Sequence, residues 1–324
     1  VDPLAIESLE PLSLLLADPQ VLKVLHACSE DLEVFQYSVG TLPTPVFDSQ
    51  IASAALGTSF SISYQGLVEH YLGHSISKEE TRSDWLQRPL SDAQLEYAAL
   101  DVIYLLEVYE NQRVQLLDQD KLRWIEEECA QLAGDIATNV APEAYYLRSK
   151  HTNRMSPGEL NVFRALCAWR ERQARQKDLP RNRVVDEKIL AALSRGGIAE
   201  PAALQAAGMS SRQIRQHGQA MIEVMITAWS LAESDFPAPL EEVAGPAKNR
   251  QLKRLKQVVQ DRAESLNVAP EMLARRRHLE QLLRSASASD DYELPAALTG
   301  WRRHAIGEHL LAALKRDQVN DRSV

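Results

Sequence analysis

VLKVLHACSEDLEVFQYSVG, residues 21–40, decides the fold class. VLKVLHA (21–27) is a short apolar run with the character of a buried strand. DLEVFQYSVG (31–40) reads as a helix stopped by Gly40, a residue suited to the left-handed turn at a helix end. TLPTPVFDS (41–49) repeats the switch. PVF is a second short strand ending at Asp48 and Ser49, before the helix QIASAALG, with Asp48 as its N-cap. Strands alternating with helices predict an α/β sandwich. Two strands are too few for its sheet, so the other strands are expected before Val1. A chain that opens on Val rather than Met, at VDPLAIESLEPL, points the same way, to a fragment.

Outward from this stretch the pattern is mostly helical. LEPLSLLLAD (9–18) is a short amphipathic segment, and SISYQGLVEHYLG (61–73) is a helix with Gly73 beyond its end. After the polar loop HSISKEETRSDW comes RPLSDAQLEYAALDVIYLLEVY (88–109), in which Ser91 and Gln94 form an S-x-x-Q capping box. Tyr97 and Asp101 lie four apart on one helix face, and Leu95, Val102, Leu105, Leu106 and Tyr109 are placed to cover the core. Asp31 and Asp101 each admit two readings. Asp31, with Ser29 and Glu30, suits the first turn of a helix and its macrodipole, and Asp101 suits the solvated edge of an apolar stripe. Alternatively both are metal-binding carboxylates, a role that needs partners elsewhere.

Composition limits those partners. At 324 residues, 45% hydrophobic and 25% charged, the chain is an ordinary globular sequence long enough for two or three domains. No apolar run approaches the roughly 18 residues of a membrane span, and no signal peptide opens the chain, so a cytoplasmic location is expected. Cys28, Cys129 and Cys167 are scattered, with neither C-x-x-C spacing nor an even count, and read as small buried hydrophobes. Charge divides the chain: residues 1–150 hold 9 Lys and Arg against 24 Asp and Glu, and residues 151–324 hold 27 against 21, a net of −15 and +6. An acidic part joined to a basic one suits an enzyme that holds metal ions with one and grips a polyanion with the other.

The basic part reads as two helical bundles. Ser156-Pro-Gly-Glu159 opens a helix with a capping box and Pro at its first position, and Leu160, Phe163, Leu166, Cys167 and Trp169 follow near helical period. Arg170, Arg172, Arg175 and Lys177 are expected on its exposed faces. DLPRNRVVDEKIL, AEPAALQAAG and SSRQIRQHGQAMIEVMITAW supply three further helices, and FPAP serves as a linker. KNRQLKRLKQVVQ, which contains Arg254, ARRRHLEQLLR and GWRRHAIGEHLLAALK carry the clearest basic clusters. Phosphate binding and plain solvation explain them equally.

His26-Ala-x-x-x-Asp31 followed by Leu90-Ser-x-x-Gln-x-x-Tyr97-Ala-Ala-x-Asp101 resembles the second and third motifs of the DEDD 3′-to-5′ exonucleases, in the subclass with a tyrosine. PVFDSQIA and RSDWLQRPL also match, and the resemblance is nearest to the ribonuclease D type. It implies a fold that is α/β plus all-α. A ribonuclease H-like exonuclease domain, truncated at its first strands, occupies 1–143, and two helical HRDC-type bundles follow at 152–232 and 241–316. It implies phosphodiester hydrolysis by two divalent ions, Mg²⁺ or Mn²⁺, about 3.5–4 Å apart, held by four acids. Carried over, Asp31 and Asp101 are two of the four and Tyr97 orients the attacking water. The other two acids form a D-x-E on the first strand, for which no strand is found here. Asp31-Leu32-Glu33 has the spacing but lies in a helical context. About 50 residues, three strands and their turns, are therefore expected to be missing, and the chain as given to be inactive. The implied partner is RNA, tRNA precursors with unpaired 3′ ends. His26, Arg82, Arg88, Arg175 and Arg254 are candidates to touch it, as is Lys78, although His26 also suits a structural role. A non-catalytic nucleic-acid-binding protein and a DNA exonuclease of the same superfamily remain alternatives.

Overall fold

The computed structural model describes residues 2–76, 83–137, 141–152, 155–197, 200–238, 246–286 and 291–321. Helix α1 (Glu10–Ala17) leads into strand β1 (Lys23–Leu25), helix α2 (Ser29–Ser38) and strand β2 (Val46–Asp48). The two strands pair in parallel, Lys23 opposite Val46 and Leu25 opposite Asp48. Both were expected from their apolar runs, and the helix between them makes the crossover that a parallel pair requires. Helices α3 (Ser49–Ala55), α4 (Tyr64–Leu72), α5 (Asp92–Ile103), α6 (Leu105–Asp118) and α7 (Leu122–Ala137) follow. The middle of the chain is α8 (Pro157–Lys177), α9 (Arg181–Val184), α10 (Glu187–Gly196), α11 (Pro201–Ala206) and α12 (Ser211–Trp229). The last part holds α13 (Pro246–Leu266), α14 (Pro270–Leu273), α15 (Arg276–Arg284) and α16 (Glu308–Asp321).

These elements form two compact units, residues 1–138 with 243–324, and residues 139–242. The first unit is built from both ends of the chain. Phe47, Ala55, Leu116, Ile125 and Cys129 share one buried core with Leu255, Leu273, Leu282, Ile306 and Leu310. Polar bonds fasten the same seam. The buried ammonium of Lys121 donates to the carbonyls of Ala55 (2.9 Å), Leu266 (2.7 Å) and Asn267 (3.2 Å). Trp124 stacks on Trp301 with ring centres 4.4 Å apart. Glu128 takes both terminal nitrogens of Arg302 and the Trp301 indole N–H, while Glu127 accepts the Trp301 backbone N–H at 3.0 Å. Gly300, at φ +58°, lets this last approach occur, since a Cβ there would stand 2.8 Å from the Glu127 carboxylate.

In the second unit Phe163, Leu166, Leu190, Leu204, Met221 and Met225 fill a separate core. Arg170 departs from the sequence reading. It is buried rather than exposed, and pairs with Glu187 at 3.3 Å. A guanidinium can be buried when a carboxylate meets it.

The stretch 88–109 also differs from expectation. The helix breaks at Tyr104, and the break resets the helical phase. Leu105 is buried with Tyr64, Leu67, Val68 and Val108, and Tyr109 packs on Phe47. Leu95, Val102 and Leu106, assigned to the core by a single helical period, are each more than half exposed.

Candidate active site

Asp31 is positioned by a turn that looks unfavourable on its own. Between β1 and α2 the chain passes through Ala27 at φ +54°, a left-handed conformation that a side-chain-bearing residue adopts only when held there. The holding group is Asp48. Its carboxylate, almost fully buried, accepts the N–H groups of Ala27 (3.2 Å) and Cys28 (2.8 Å) at the start of α2. It also accepts those of Gln50 (2.8 Å) and Ile51 (3.2 Å) at the start of α3. One acid thus serves two helix starts. The N-cap reading of Asp48 covered only α3.

Asp31 stands in the first turn of α2, as its sequence context suits, but does not cap the helix. The helix begins at Ser29 and its cap position is Cys28, so Asp31 lies in the first turn with its carboxyl at the surface. Partial burial of the carboxyl, and then the negative charges of Glu30 and Asp48, push its pKa up. An acid raised in this way gains from a nearby cation.

Tyr97 and Asp101 stand on α5, whose start is fixed as the capping box requires. Gln94 Oε1 accepts the Ser91 N–H at 2.9 Å, and Ser91 Oγ accepts the Gln94 N–H at 3.2 Å. The Gln94 amide also donates to Ser83 Oγ (3.1 Å) and the Asp84 carbonyl (3.0 Å), which brings the preceding loop against the helix. Trp85 from that loop lies with its ring centre 5.8 Å from that of Tyr97. One turn further on, burial pushes the Asp101 pKa up, and a hydrogen bond from the Tyr97 side chain offsets part of that.

The histidine that opens the first motif meets a tyrosine from α4. His26 Nδ1 is 2.9 Å from Ser49 Oγ, and the His26 ring packs edge-on to Tyr64 at 5.7 Å. Asp48 acts electrostatically on both Asp31 and His26, and Asp101 acts on Tyr64. Tyr64 carried no signal in the sequence beyond an apolar helix face.

Carboxylates and a phenol are hard oxygen donors of the type that Mg²⁺ and Mn²⁺ prefer, so Asp31 and Asp101 fit a metal site in kind. They do not complete one, because among the described residues no three His, Cys, Asp or Glu side chains converge as metal ligands. Neither strand carries an acid pair. Asp31-Leu32-Glu33 is helical with Leu32 buried, and a further D-x-E that the sequence reading passed over, Asp291-Tyr292-Glu293, lies in an irregular segment after α15.

The basic candidates are placed variously. Arg88 is committed to Asp2 through bonds of 2.7 and 2.8 Å and to the Trp85 and Gln87 carbonyls. Arg175 pairs with the buried Glu171 at 2.8 Å and lies over the Tyr145 ring. Arg254 is half-buried on α13. Lys78 and Arg82 lie outside the described residues.

With this geometry in hand, similarity to known proteins is informative. Residues 1–116 match the family described as 3′-5′ exonuclease. Residues 159–225 match the HRDC domain, and residues 246–310 the family described as ribonuclease D, C-terminal HRDC domain. Ribonuclease D of Pseudomonas paraeruginosa is 43% identical over 318 residues, covering 97% of this chain and 84% of that protein. The chain belongs to the ribonuclease D family. Escherichia coli ribonuclease D is 35% identical over 315 residues, 96% of this chain and 83% of that one. Its crystal structure, described as that of an exoribonuclease involved in structured RNA processing, aligns with a TM-score of 0.84 over 97% of this chain and 84% of that chain, at 34% identity. Along the chain the order is an exonuclease domain followed by HRDC domains. Among the described residues no helix is long and apolar enough to cross a membrane.

Proposed function

We propose that this chain belongs to an exoribonuclease that trims structured RNA from an unpaired 3′ end, with tRNA precursors as substrate. On this reading residues 1–143 are the exonuclease portion, 152–232 and 241–316 are the helical modules that grip RNA, and the protein works in the cytoplasm. Asp31 and Asp101 would hold divalent metal, Mg²⁺ or Mn²⁺, as two of the carboxylates of a two-ion site. When bound, the metal would stabilise charge on the phosphate and ready a water for attack. Tyr97 would orient that water with its hydroxyl. The description of the Escherichia coli relative as acting in structured RNA processing supports the substrate class.

The observation that carries the reading is the placement of Tyr97 one helical turn before Asp101 on α5, close enough to offset part of the rise in the Asp101 pKa that burial causes, with Trp85 packed against the Tyr97 ring. The test uses 5′-labelled RNA with an unpaired 3′ end, incubated with Mg²⁺ or Mn²⁺. Stepwise shortening that Asp31→Ala or Asp101→Ala abolishes, and that Tyr97→Phe strongly slows while RNA stays bound, is the expected result for a chain carrying all four acids. Full activity in Asp101→Ala would sink the metal assignment. A second reading, RNA binding without hydrolysis by these residues alone, is favoured because among the described residues no three His, Cys, Asp or Glu side chains are grouped to hold a metal ion. It predicts bound RNA that is never shortened.

A further inference from the structure

Three arginines in succession, Arg275, Arg276 and Arg277, open α15, and His278 follows them. Local energetics disfavour this arrangement. Positive charge collects at the end of a helix where the macrodipole is already positive, and an arginine side chain has no atom that can accept the first N–H groups. The fold neutralises part of the charge. Arg276 pairs with Glu280 at 2.7 Å, and the neighbouring Arg302 is taken up by Glu128. His278 is buried, and its Nδ1 lies 3.3 Å from the Arg275 backbone nitrogen.

Arg275 and Arg277 are left over. Both residues are exposed, although burial presses the Arg275 pKa down, and among the described residues neither has a carboxylate within ion-pair distance, Glu128 and Glu271 acting on Arg275 from further away. The Arg275 guanidinium lies 4.6 Å over the ring of Phe60, which follows α3 in the same unit. Arg277 has the His278 ring nitrogen at 3.2 Å as its polar neighbour. The two guanidinium charges act on each other and on His278, and each keeps N–H groups that no carboxylate takes up, so an anion such as a phosphodiester would relieve both.

We propose that Arg275 and Arg277, with Arg275 braced on Phe60, form a subsite for the phosphate backbone of RNA. This rests on RNA being the ligand of the chain, and deepens that reading by naming where the last part of the chain takes hold. A protein partner would need a patterned acidic surface, whereas RNA offers phosphates at regular intervals that meet both arginines without regard to sequence.

The test is fluorescence anisotropy with a 5′-labelled single-stranded RNA in EDTA, so that binding is read without turnover, over a range of salt concentrations. Replacing both residues, Arg275→Ala with Arg277→Ala, should weaken binding about tenfold and lower the slope of log K against log salt by about 1.4, near 0.7 per lost contact to a single strand. Arg276→Ala, which also removes one charge but leaves Glu280 without its partner, should change both values little. The exposed sites leave folding intact, checked by thermal melting. Equal losses from Arg276→Ala and Arg277→Ala would overturn the subsite in favour of a diffuse field. So would unchanged binding in the double variant, or a wild-type chain that fails to bind RNA. A chain carrying all four acids that binds RNA in EDTA yet does not shorten it with Mg²⁺ or Mn²⁺, with the arginine effects intact, would defeat the exonuclease reading and leave the subsite standing.

Discussion

Asp48 shows how one side chain can fix the start of two helices, one of them carrying the candidate residue Asp31. Four backbone N–H groups from two helix starts converge on its carboxylate. Asp48→Ala removes an N-cap and leaves buried donors unsatisfied, and should destabilise the first unit by about 2–4 kcal/mol in urea unfolding. Asp48→Asn, which keeps an acceptor oxygen, should recover part of that. His278 gives a pH signature. Burial, then the charges of Arg277, Arg302 and Arg275, press its pKa down to about 4. The unfolded chain therefore binds a proton near pH 6.5 that the folded one refuses until about pH 4. Stability from this residue is complete above pH 6.5 and falls as the pH drops through that window, by roughly 3 kcal/mol in total. Unfolding midpoints measured from pH 7 to pH 4 should show the fall, and His278→Gln should flatten it.

Among the elements, what was legible in the sequence is what is encoded locally. The capping boxes at Ser91–Gln94 and Ser156–Glu159 form as written, and Gly40 and Gly73 take positive φ at the ends of α2 and α4. Both strands appear where short apolar runs meet turn residues. The helix face across 88–109 was not legible, because periodicity identifies apolar residues but not which side a neighbour occupies. The same limit hid the burial of Arg170, whose partner Glu187 lies on another helix. Of the candidate site, Asp31, Tyr97 and Asp101 are named through the resemblance to the exonuclease motifs, spacing alone leaving ordinary helix roles open, whereas Asp48's second role and Tyr64 depend on contacts across the fold. A paired substitution checks the break at Tyr104. Leu105→Ala should cost about 2–4 kcal/mol, and Leu106→Ala under about 0.5, although the two are adjacent.

At the scale of the whole molecule, part of the acidic excess of the first 150 residues and the basic excess of the rest is spent internally, in Glu128 with Arg302 along the seam. A segment-by-segment reading treated residues 1–143 and 241–316 apart, and no local pattern shows that Trp301 stacks on Trp124 or that Lys121 reaches Asn267. Residues 139–242 have their own core and, produced alone, should give a cooperative thermal transition by circular dichroism. Residues 1–138 produced alone should lack that cooperativity and bind hydrophobic dyes, and regain a sharp transition when residues 243–324 are added back.

The seam built on Lys121 also sets a timetable. The ammonium waits for carbonyl groups about 145 positions later in the chain. During synthesis at about 5–20 residues per second, the first region must stand with an unfinished core while the middle bundle and then the last helices emerge, on the order of ten to forty seconds. The middle bundle can fold in that interval, so its order in the gene places an autonomous piece between two halves that depend on each other. For those seconds the nascent chain presents apolar surface that a chaperone or an aggregate could claim, and premature termination anywhere before α16 leaves it so.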